Sequence, residues 1–463
     1  MGFAYPWLPD RLKYGPVYAE TAKLLRCSDH WNPGQVEEYQ ALQLQRLVHQ
    51  AYEHVPYYRA LLSEHGLSPG SIQGPGDLSR VPLLDRETLR QSRSALLATN
   101  IPAHQRVVMT TGGSSGTPVT VYWQVGYSNA RDAAFMQALW RRVDCSLTSK
   151  RMVLRGPIVD SSSHMVYKPA TRELICSTYH LDDEQMAAYL SAMKARGIRV
   201  IHGHVSSVAT FASYLVRHRI VYPLHAVLGA SEMVFPFQRE LVRKAFGARL
   251  FSWYGQSERV VLAGECEVSS KYHVFPEYGI LELIDEKGAL ITKPGVAGEI
   301  VGTGFNSFAM PLIRYRTGDI GVYASEVTCA CGRTYPVLES LEGRKYEYVV
   351  SSDGARISLT GLIFGQHFSA FQNIHRLQIY QDVPGIIEVR VLRSGGYTKR
   401  DEEEVVTIIE RAGAGRIRCH VVYPDDIPLT PAGKHRFLIQ RIPLDRGDGH
   451  EPQDDFIPRA SLS

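Results

Sequence analysis

Residues Thr110-Thr111-Gly112-Gly113-Ser114-Ser115-Gly116-Thr117-Pro118 follow the apolar run Val107-Val108-Met109. Three glycines among hydroxyl side chains let backbone N–H groups and hydroxyls converge on phosphate oxygens, because glycine brings the chain close to an anion at no steric cost. No Gly-Lys-Ser/Thr ends the run, so it is not a Walker loop. A Gly/Ser turn between two strands is the plain alternative.

Outward from this loop, short apolar runs (Arg151-Met152-Val153-Leu154, Val200-Ile201, Ala226-Val227-Leu228) alternate with helical stretches at 183–196 and 237–246. That alternation predicts an α/β domain with buried strands between residues 106 and 290. Upstream, apolar residues at three- and four-residue spacing predict an amphipathic helix from Val36 to Tyr52. Past Tyr272, strand-like runs at 279–284, 298–303 and 349–350 predict a β-rich lobe that closes this domain. Segments 374–380, 386–392, 400–412 and 417–423 read as a β-β-α-β unit suited to a small mobile domain. The expected division is therefore a large domain over 1–343, a small α+β domain over 344–444 and a polar tail over 445–463.

The chain of 463 residues is long enough for two such domains. Apolar residues at 44% and charged residues at 21% describe a globular chain that can form a packed core throughout. Fifty-one basic against 47 acidic side chains, with no run of like charge, do not favour electrostatic capture of nucleic acid. The basic stretch from Arg239 to Arg249 alternates with apolar residues and reads as the solvated face of a helix. No apolar run approaches the roughly 18 residues of a membrane span, and the N-terminus lacks a secretory pattern. A cytoplasmic protein is the expectation, and its seven cysteines fit reduced thiols. A homodimer is left open.

Two later stretches carry carboxylates at tight turns: Tyr254-Gly255-Gln256-Ser257-Glu258 and Arg314-Tyr315-Arg316-Thr317-Gly318-Asp319. A carboxylate after a Gly turn can accept both hydroxyls of a ribose in one fork, which makes Asp319 the candidate ribose ligand. Arg344, after Gly343, would then contact ribose or phosphate. Its bland alternative is a surface ion pair. Cys266 and His273, with Cys329 and Cys331, offer three thiolates and an imidazole, a common tetrahedral zinc set whose closed shell implies structure rather than catalysis. Four unrelated buried residues are the competing reading.

Together these motifs resemble the superfamily of acyl- and aryl-CoA ligases, adenylation domains and luciferases. Tyr52-Glu53-His54-Val55-Pro56-Tyr57-Tyr58-Arg59, the 314–321 segment and Cys329-Ala330-Cys331-Gly332-Arg333 resemble the phenylacetate-CoA-ligase-like family, in particular its CapK-type branch. The resemblance implies that Thr110, Thr111, Gly112, Gly113, Ser114, Ser115, Gly116 and Thr117 hold the phosphates of ATP, although Thr117 stands where a lysine is frequent. It implies that Gly229, Ala230 and Ser231 lie against the purine, that Tyr254 stacks on it within the Gly255-Gln256-Ser257 turn, and that Glu258 helps to hold magnesium. Lys434, in Pro428-Leu429-Thr430-Pro431-Ala432-Gly433-Lys434, resembles the lysine that bridges the attacking carboxylate and the α-phosphate. His202, Gly203 and His204 would line the acyl pocket, with ordinary loop structure as the equal alternative.

The activity so implied is attack of a carboxylate on the α-phosphate of ATP-Mg, giving an acyl adenylate and pyrophosphate. The acyl group then passes to an acceptor, first of all the thiol of coenzyme A. An amine, such as an amino sugar in polysaccharide biosynthesis, is the second acceptor. Nucleotidyl transfer that leaves AMP on a deazaflavin-like cofactor is the third reading.

Overall fold

The computed structural model describes residues 10–110, 119–155, 164–325, 329–344, 348–359, 362–363, 369–429 and 435–442. The Thr111–Pro118 part of the glycine-rich loop, Lys434 and the 445–463 tail lie outside the described residues. The chain forms two compact units. The first holds the residues up to Arg344 together with Leu429 and His435, and the second holds the rest from Tyr348 onward.

In the first unit the helices are α1 (Asp10–Ser28), α2 (Pro33–His54), α3 (Pro56–Glu64), α4 (Arg86–Gln91), α5 (Ser128–Arg141), α6 (Asp183–Arg196), α7 (Val205–Arg217) and α8 (Pro236–Phe246). The strands are β1 (Arg106–Thr110), β2 (Thr120–Gln124), β3 (Arg151–Leu154), β4 (Met165–Lys168), β5 (Glu173–Cys176), β6 (Val200–His204), β7 (Ala226–Ala230), β8 (Leu250–Gly255), β9 (Leu262–Glu265), β10 (Tyr272–Val274), β11 (Gly279–Ile284), β12 (Ala297–Gly304), β13 (Tyr315–Tyr323) and β14 (Val337–Arg344). The second unit adds β15 (Tyr348–Val350), β16 (Arg356–Ser358), β17 (Ile374–Val383), β18 (Ile386–Arg393), α9 (Lys399–Ala412), β19 (Arg418–Val422) and β20 (Leu438–Gln440).

Local chemistry accounts for the helix ends. Asn32 and Gln35 cap the start of α2 reciprocally, each side chain accepting from the other's backbone N–H at 3.0 Å, with Pro33 in the first turn. Asp182 accepts from the Gln185 N–H at the start of α6, and Gly197 ends it with φ 58°. Helix α1 has no counterpart in the sequence reading, because Gly15-Pro16 punctuates it. Gly15 takes φ 79° at a kink.

One sheet of twelve strands runs through the first unit in the order β11-β12-β13-β14-β10-β9-β8-β7-β6-β3-β5-β4. Strands β5, β3, β6, β7 and β8 are mutually parallel, and β8 to β11 along the sheet are antiparallel. The β-rich segment expected to be a closing lobe is thus the continuation of the α/β sheet across β8. Period-two alternation divides the parallel strands between two cores. Ile201, Val227 and Leu250 face the buried cluster that includes residues of α6, α7 and α8, whereas Val200, Leu228 and Phe251 face Phe135 and Leu139 of α5. Gly203 and Gly229 stand opposite each other in the register. A Cβ on Gly203 would lie 2.6 Å from the Leu154 carbonyl oxygen, so only glycine fits there.

In the second unit β17 and β18 form an antiparallel hairpin flanked by parallel β20 and β19. The side-chain amide of Gln381 accepts from the Val350 N–H and donates to the Val350 carbonyl, each at 2.7 Å, which ties the β15–β16 hairpin to this sheet. The expected β-β-α-β unit is present, with β20 as a further strand.

Candidate active site

The two carboxylate motifs hold each other by exchanging tyrosines. Tyr254, near the end of β8, donates its hydroxyl to Asp319 Oδ2 at 2.8 Å, and Tyr315, at the start of β13, donates to Glu258 Oε1 at 3.0 Å. Each motif's tyrosine therefore meets the other motif's acid. Burial, reinforced by Asp319 beside Tyr254 and by Glu258 beside Tyr315, pushes both phenols well above their ordinary value of 10, so both remain donors.

Gly318 makes the turn that presents Asp319, with φ 76°. The Asp319 N–H donates to Thr317 Oγ1 at 3.1 Å, and Thr317 donates to the Ile300 carbonyl at 2.8 Å. On the neighbouring strand Arg344 is the residue directly opposite Asp319. Arg316 and Arg314, from the same motif, pair with Glu299 and Glu282 through both guanidinium and both carboxylate ends, and these pairs join β11, β12 and β13.

Around Glu258 the turn is fixed from outside. Trp123 of β2 donates its indole N–H to the Ser257 carbonyl at 2.9 Å, and the Arg259 guanidinium lies 3.4 Å from the centre of the Trp123 ring. Arg259, at φ 54°, reaches Asp132 at 3.2 Å. Gln256 has both side-chain amide atoms buried without a partner among the described residues. Thr110 ends β1 in an exposed position. Gly229 and Ala230 are the buried last residues of β7, and Ser231 follows exposed with φ 65°. Gly255 closes β8. The tyrosine exchange between motifs leaves no trace in either motif read alone.

His202, Gly203 and His204 end β6. His202 and His204 share the α5 face, where the His202 ring lies 5.1 Å from Trp140 and 5.8 Å from Trp253. Burial, with Arg155 and Arg151 adding repulsion, pulls the His202 imidazole well below its usual value, so it is neutral. Gly203 faces the other core and serves packing. Glu232 accepts the Ser206 N–H at 2.7 Å and the Ser206 hydroxyl at 3.0 Å, capping α7, and accepts the His435 N–H at 3.3 Å. Phe135 is core, and Trp123 has the turn-holding role just described.

Cys266, His273, Cys329 and Cys331 come together with their ligand atoms within 4.8 Å of one another. The Cys266 and Cys329 sulfurs are 3.6 Å apart, and Cys331 Sγ is 3.3 Å from His273 Nε2. Zinc bonds of about 2.3 Å to sulfur and about 2.0 Å to nitrogen in a tetrahedron set donor separations of about 3.5–3.8 Å, so these two pairs lie near the spacing that ion needs and the four residues could hold a metal ion. Burial, with Arg142 and Arg333 nearby, lowers the His273 imidazole to about 4, which keeps it neutral. The Arg239–Arg249 stretch is not merely a solvated face. Both arginines reach the fully buried Glu265, which also accepts the Ser252 hydroxyl at 2.7 Å. A buried acid on β9 claims these cations, and no periodicity signals that.

Residues 349–441 match the family described as the CapK C-terminal domain. Protein CapK of Staphylococcus aureus is 20% identical over 434 residues, covering 92% of each chain. Phenylacetate-coenzyme A ligase of Thermus thermophilus is 27% identical over 336 residues, 68% of this chain and 72% of that one. Among solved structures, 2-hydroxyisobutyryl-CoA ligase in the postadenylation state with 2-HIB-AMP superposes with a TM-score of 0.70 at 17% identity, covering 91% of this chain and 92% of that one. The chain thus carries a CapK-type C-terminal domain, is homologous to CapK and to phenylacetate-CoA ligases, and has the fold of the adenylate-forming CoA ligases.

Proposed function

We propose that this protein adenylates a carboxylate with ATP-Mg and passes the acyl group to an acceptor, with the thiol of coenzyme A as the first choice. The observation that carries the reading is the reciprocal bonding of Tyr254 to Asp319 and of Tyr315 to Glu258. It ties the two acid-bearing motifs to each other, as binding a ribose and a phosphate-bound cation requires. Asp319 takes the ribose hydroxyls. Glu258 supplies the oxygen that a hard cation prefers, and magnesium there offsets charge on the departing pyrophosphate.

Tyr254 presents its ring to the purine, with Gly229, Ala230 and Ser231 alongside and Gly255, Gln256 and Ser257 forming the turn. Thr110 to Thr117 receive the phosphates, Arg344 the ribose or phosphate, and Lys434 steadies the carboxylate against the α-phosphorus. Residues 1–343 form the adenylating domain and 344–444 the mobile one. His202 and His204 face the acyl donor.

Cys266, His273, Cys329 and Cys331 hold a structural zinc ion that staples the loop after β9 and the loop before β14 to β10. Elemental analysis of the purified protein should return about one zinc per chain, and a Cys329→Ser/Cys331→Ser variant should return none. Zinc far below one equivalent after add-back would remove the staple.

The decisive assay is carboxylate-dependent exchange of labelled pyrophosphate into ATP across a panel of acids. Lys434→Ala should lower it by about 10²–10³-fold, the loss expected of one charge-stabilising donor. Release of free AMP with coenzyme A, rather than with an amine, identifies the thiol as acceptor. ATP binding with no exchange for any acid would overturn the reading, and exchange that needs a hydroxylated cofactor instead would point to nucleotidyl transfer.

A further inference from the structure

Building on the adenylation reading, we propose that the acid used by this protein carries a second oxygen acceptor, a hydroxyl, oxo or further carboxylate group. Trp140, His202 and Arg151 receive that oxygen. These three side chains touch in a row and each has a polar atom left over. Trp140, in the last turn of α5, is 3% exposed, and its indole N–H meets no acceptor among the described residues. An indole nitrogen can only donate.

His202 packs against Trp140 with ring centres 5.1 Å apart and planes at 71°, and its Nε2 is buried with no partner among the described residues. Arg151, 7% exposed, lies with its guanidinium 5.1 Å from the Trp140 ring centre. Its Nη1 donates to the Leu147 and Ser149 carbonyls and its Nη2 to Glu173, but its Nε–H is left without an acceptor among the described residues.

Buried polar atoms are nearly always paired, so three orphans in touching side chains mark a place made for something the described residues do not supply. Two of the three can only donate. The missing group must therefore accept, and the Arg151 charge favours an oxygen. Glu173 is already spent on Arg151, and the other groups acting on His202, Arg155 and His204, bring no negative charge.

His202 keeps part of its surface exposed while Trp140 and Arg151 keep almost none, so the row is entered past His202. That residue is the middle one of β6, and parallel sheets take their ligands in crevices at the carboxyl ends of their strands. A purely alkyl or aryl acid would leave the donors unmatched, and sites built to hydrogen-bond a group discriminate strongly against analogues that lack it.

The test compares matched acids, such as 3-hydroxybutyrate and succinate against butyrate, and 4-oxopentanoate against pentanoate. In pyrophosphate exchange the oxygenated member should be favoured by at least about tenfold in kcat/KM, and Trp140→Phe should reduce the preference to within about threefold. The second readout is independent of turnover. Trp140 is one of five tryptophans, and its indole N–H resonance is assigned by its loss in Trp140→Phe. It should shift saturably with the oxygenated acid and not with its partner.

Preference for the unsubstituted acids that Trp140→Phe leaves unchanged would overturn the inference. So would an indole signal that answers both members alike or neither. Should no acid support exchange, the adenylation reading falls, and the indole titration still decides this inference alone.

Discussion

In the antiparallel half of the long sheet, Glu265, Glu282 and Glu299 are buried and each is met by arginine: Arg239 and Arg249, Arg314, and Arg316. In the parallel half, Trp140, His202 and Arg151 are packed as closely, yet each keeps an unmatched polar atom. The Glu282 and Glu299 pairs tie neighbouring strands, and the Glu265 pairs tie α8 and the entry to β8 onto β9, so removing either charge strands the other in a dry interior. The parallel strands take their spacing instead from backbone hydrogen bonds and from glycines such as Gly203 and Gly229. One ion pair, Arg151 with Glu173, joins β3 to β5 there as well, but Trp140, His202 and the Arg151 Nε each keep a polar atom unmatched among the described residues. In the first group charge is met by charge, whereas in the second polar atoms are left over for a ligand.

The contrast is most exposed at Arg314. Arg314→Met leaves Glu282 buried without its guanidinium and should cost about 3–5 kcal/mol in denaturant unfolding. A loss below 1 kcal/mol would mean that the pair is not what orders β11 to β13.

Gly203→Ala tests the other side, since its Cβ would press on the Leu154 carbonyl oxygen at 2.6 Å and on Leu154 Cβ at 2.9 Å. We expect a loss of about 1–3 kcal/mol. A fully stable variant would show that the parallel strands are less tightly set.

Tyr254→Phe removes the bond to Asp319 and should cost about 1 kcal/mol while weakening ATP binding in a direct titration. The same variant carries a pH signature. Because the folded phenol is held well above 10, the folded state keeps a proton that the unfolded chain sheds, so this stability is intact below pH 10 and declines as pH rises further. Tyr254→Phe should make the alkaline decline shallower, and an unchanged slope would remove Tyr254 from that role. Trp140→Phe sits at the bottom of the scale. Its N–H has no partner to lose among the described residues, so the ligand-free protein should change by less than about 1 kcal/mol. A larger loss would reveal a structural partner and erase the contrast between the halves.

Much of the architecture is legible in residue order. Helix α6 runs from Asp183 to Arg196 as its pattern predicts, and β17, β18, α9 and β19 follow the expected sequence of elements. Their signals are local: alternation, a capping Asp182 and a terminal Gly197 act within a few residues. Helix α1 escapes because Gly15-Pro16 resembles an end and proves a kink. The β-rich lobe was legible as strands but not as a continuation of the same sheet, since pairing of β8 with β9 is a choice among partners.

The motif order and the α/β class follow from the sequence alone, because they depend on residue type and short-range periodicity, and Asp319, Glu258 and the Cys/His set stand out there as candidate ligands. Tertiary structure alone decides that Tyr254 serves Asp319 while Tyr315 serves Glu258, that Arg239 and Arg249 turn to Glu265, and that Trp140 and His202 meet. Those pairings join residues far apart in the chain, and which partner a buried polar group finds is settled only when packing closes off water.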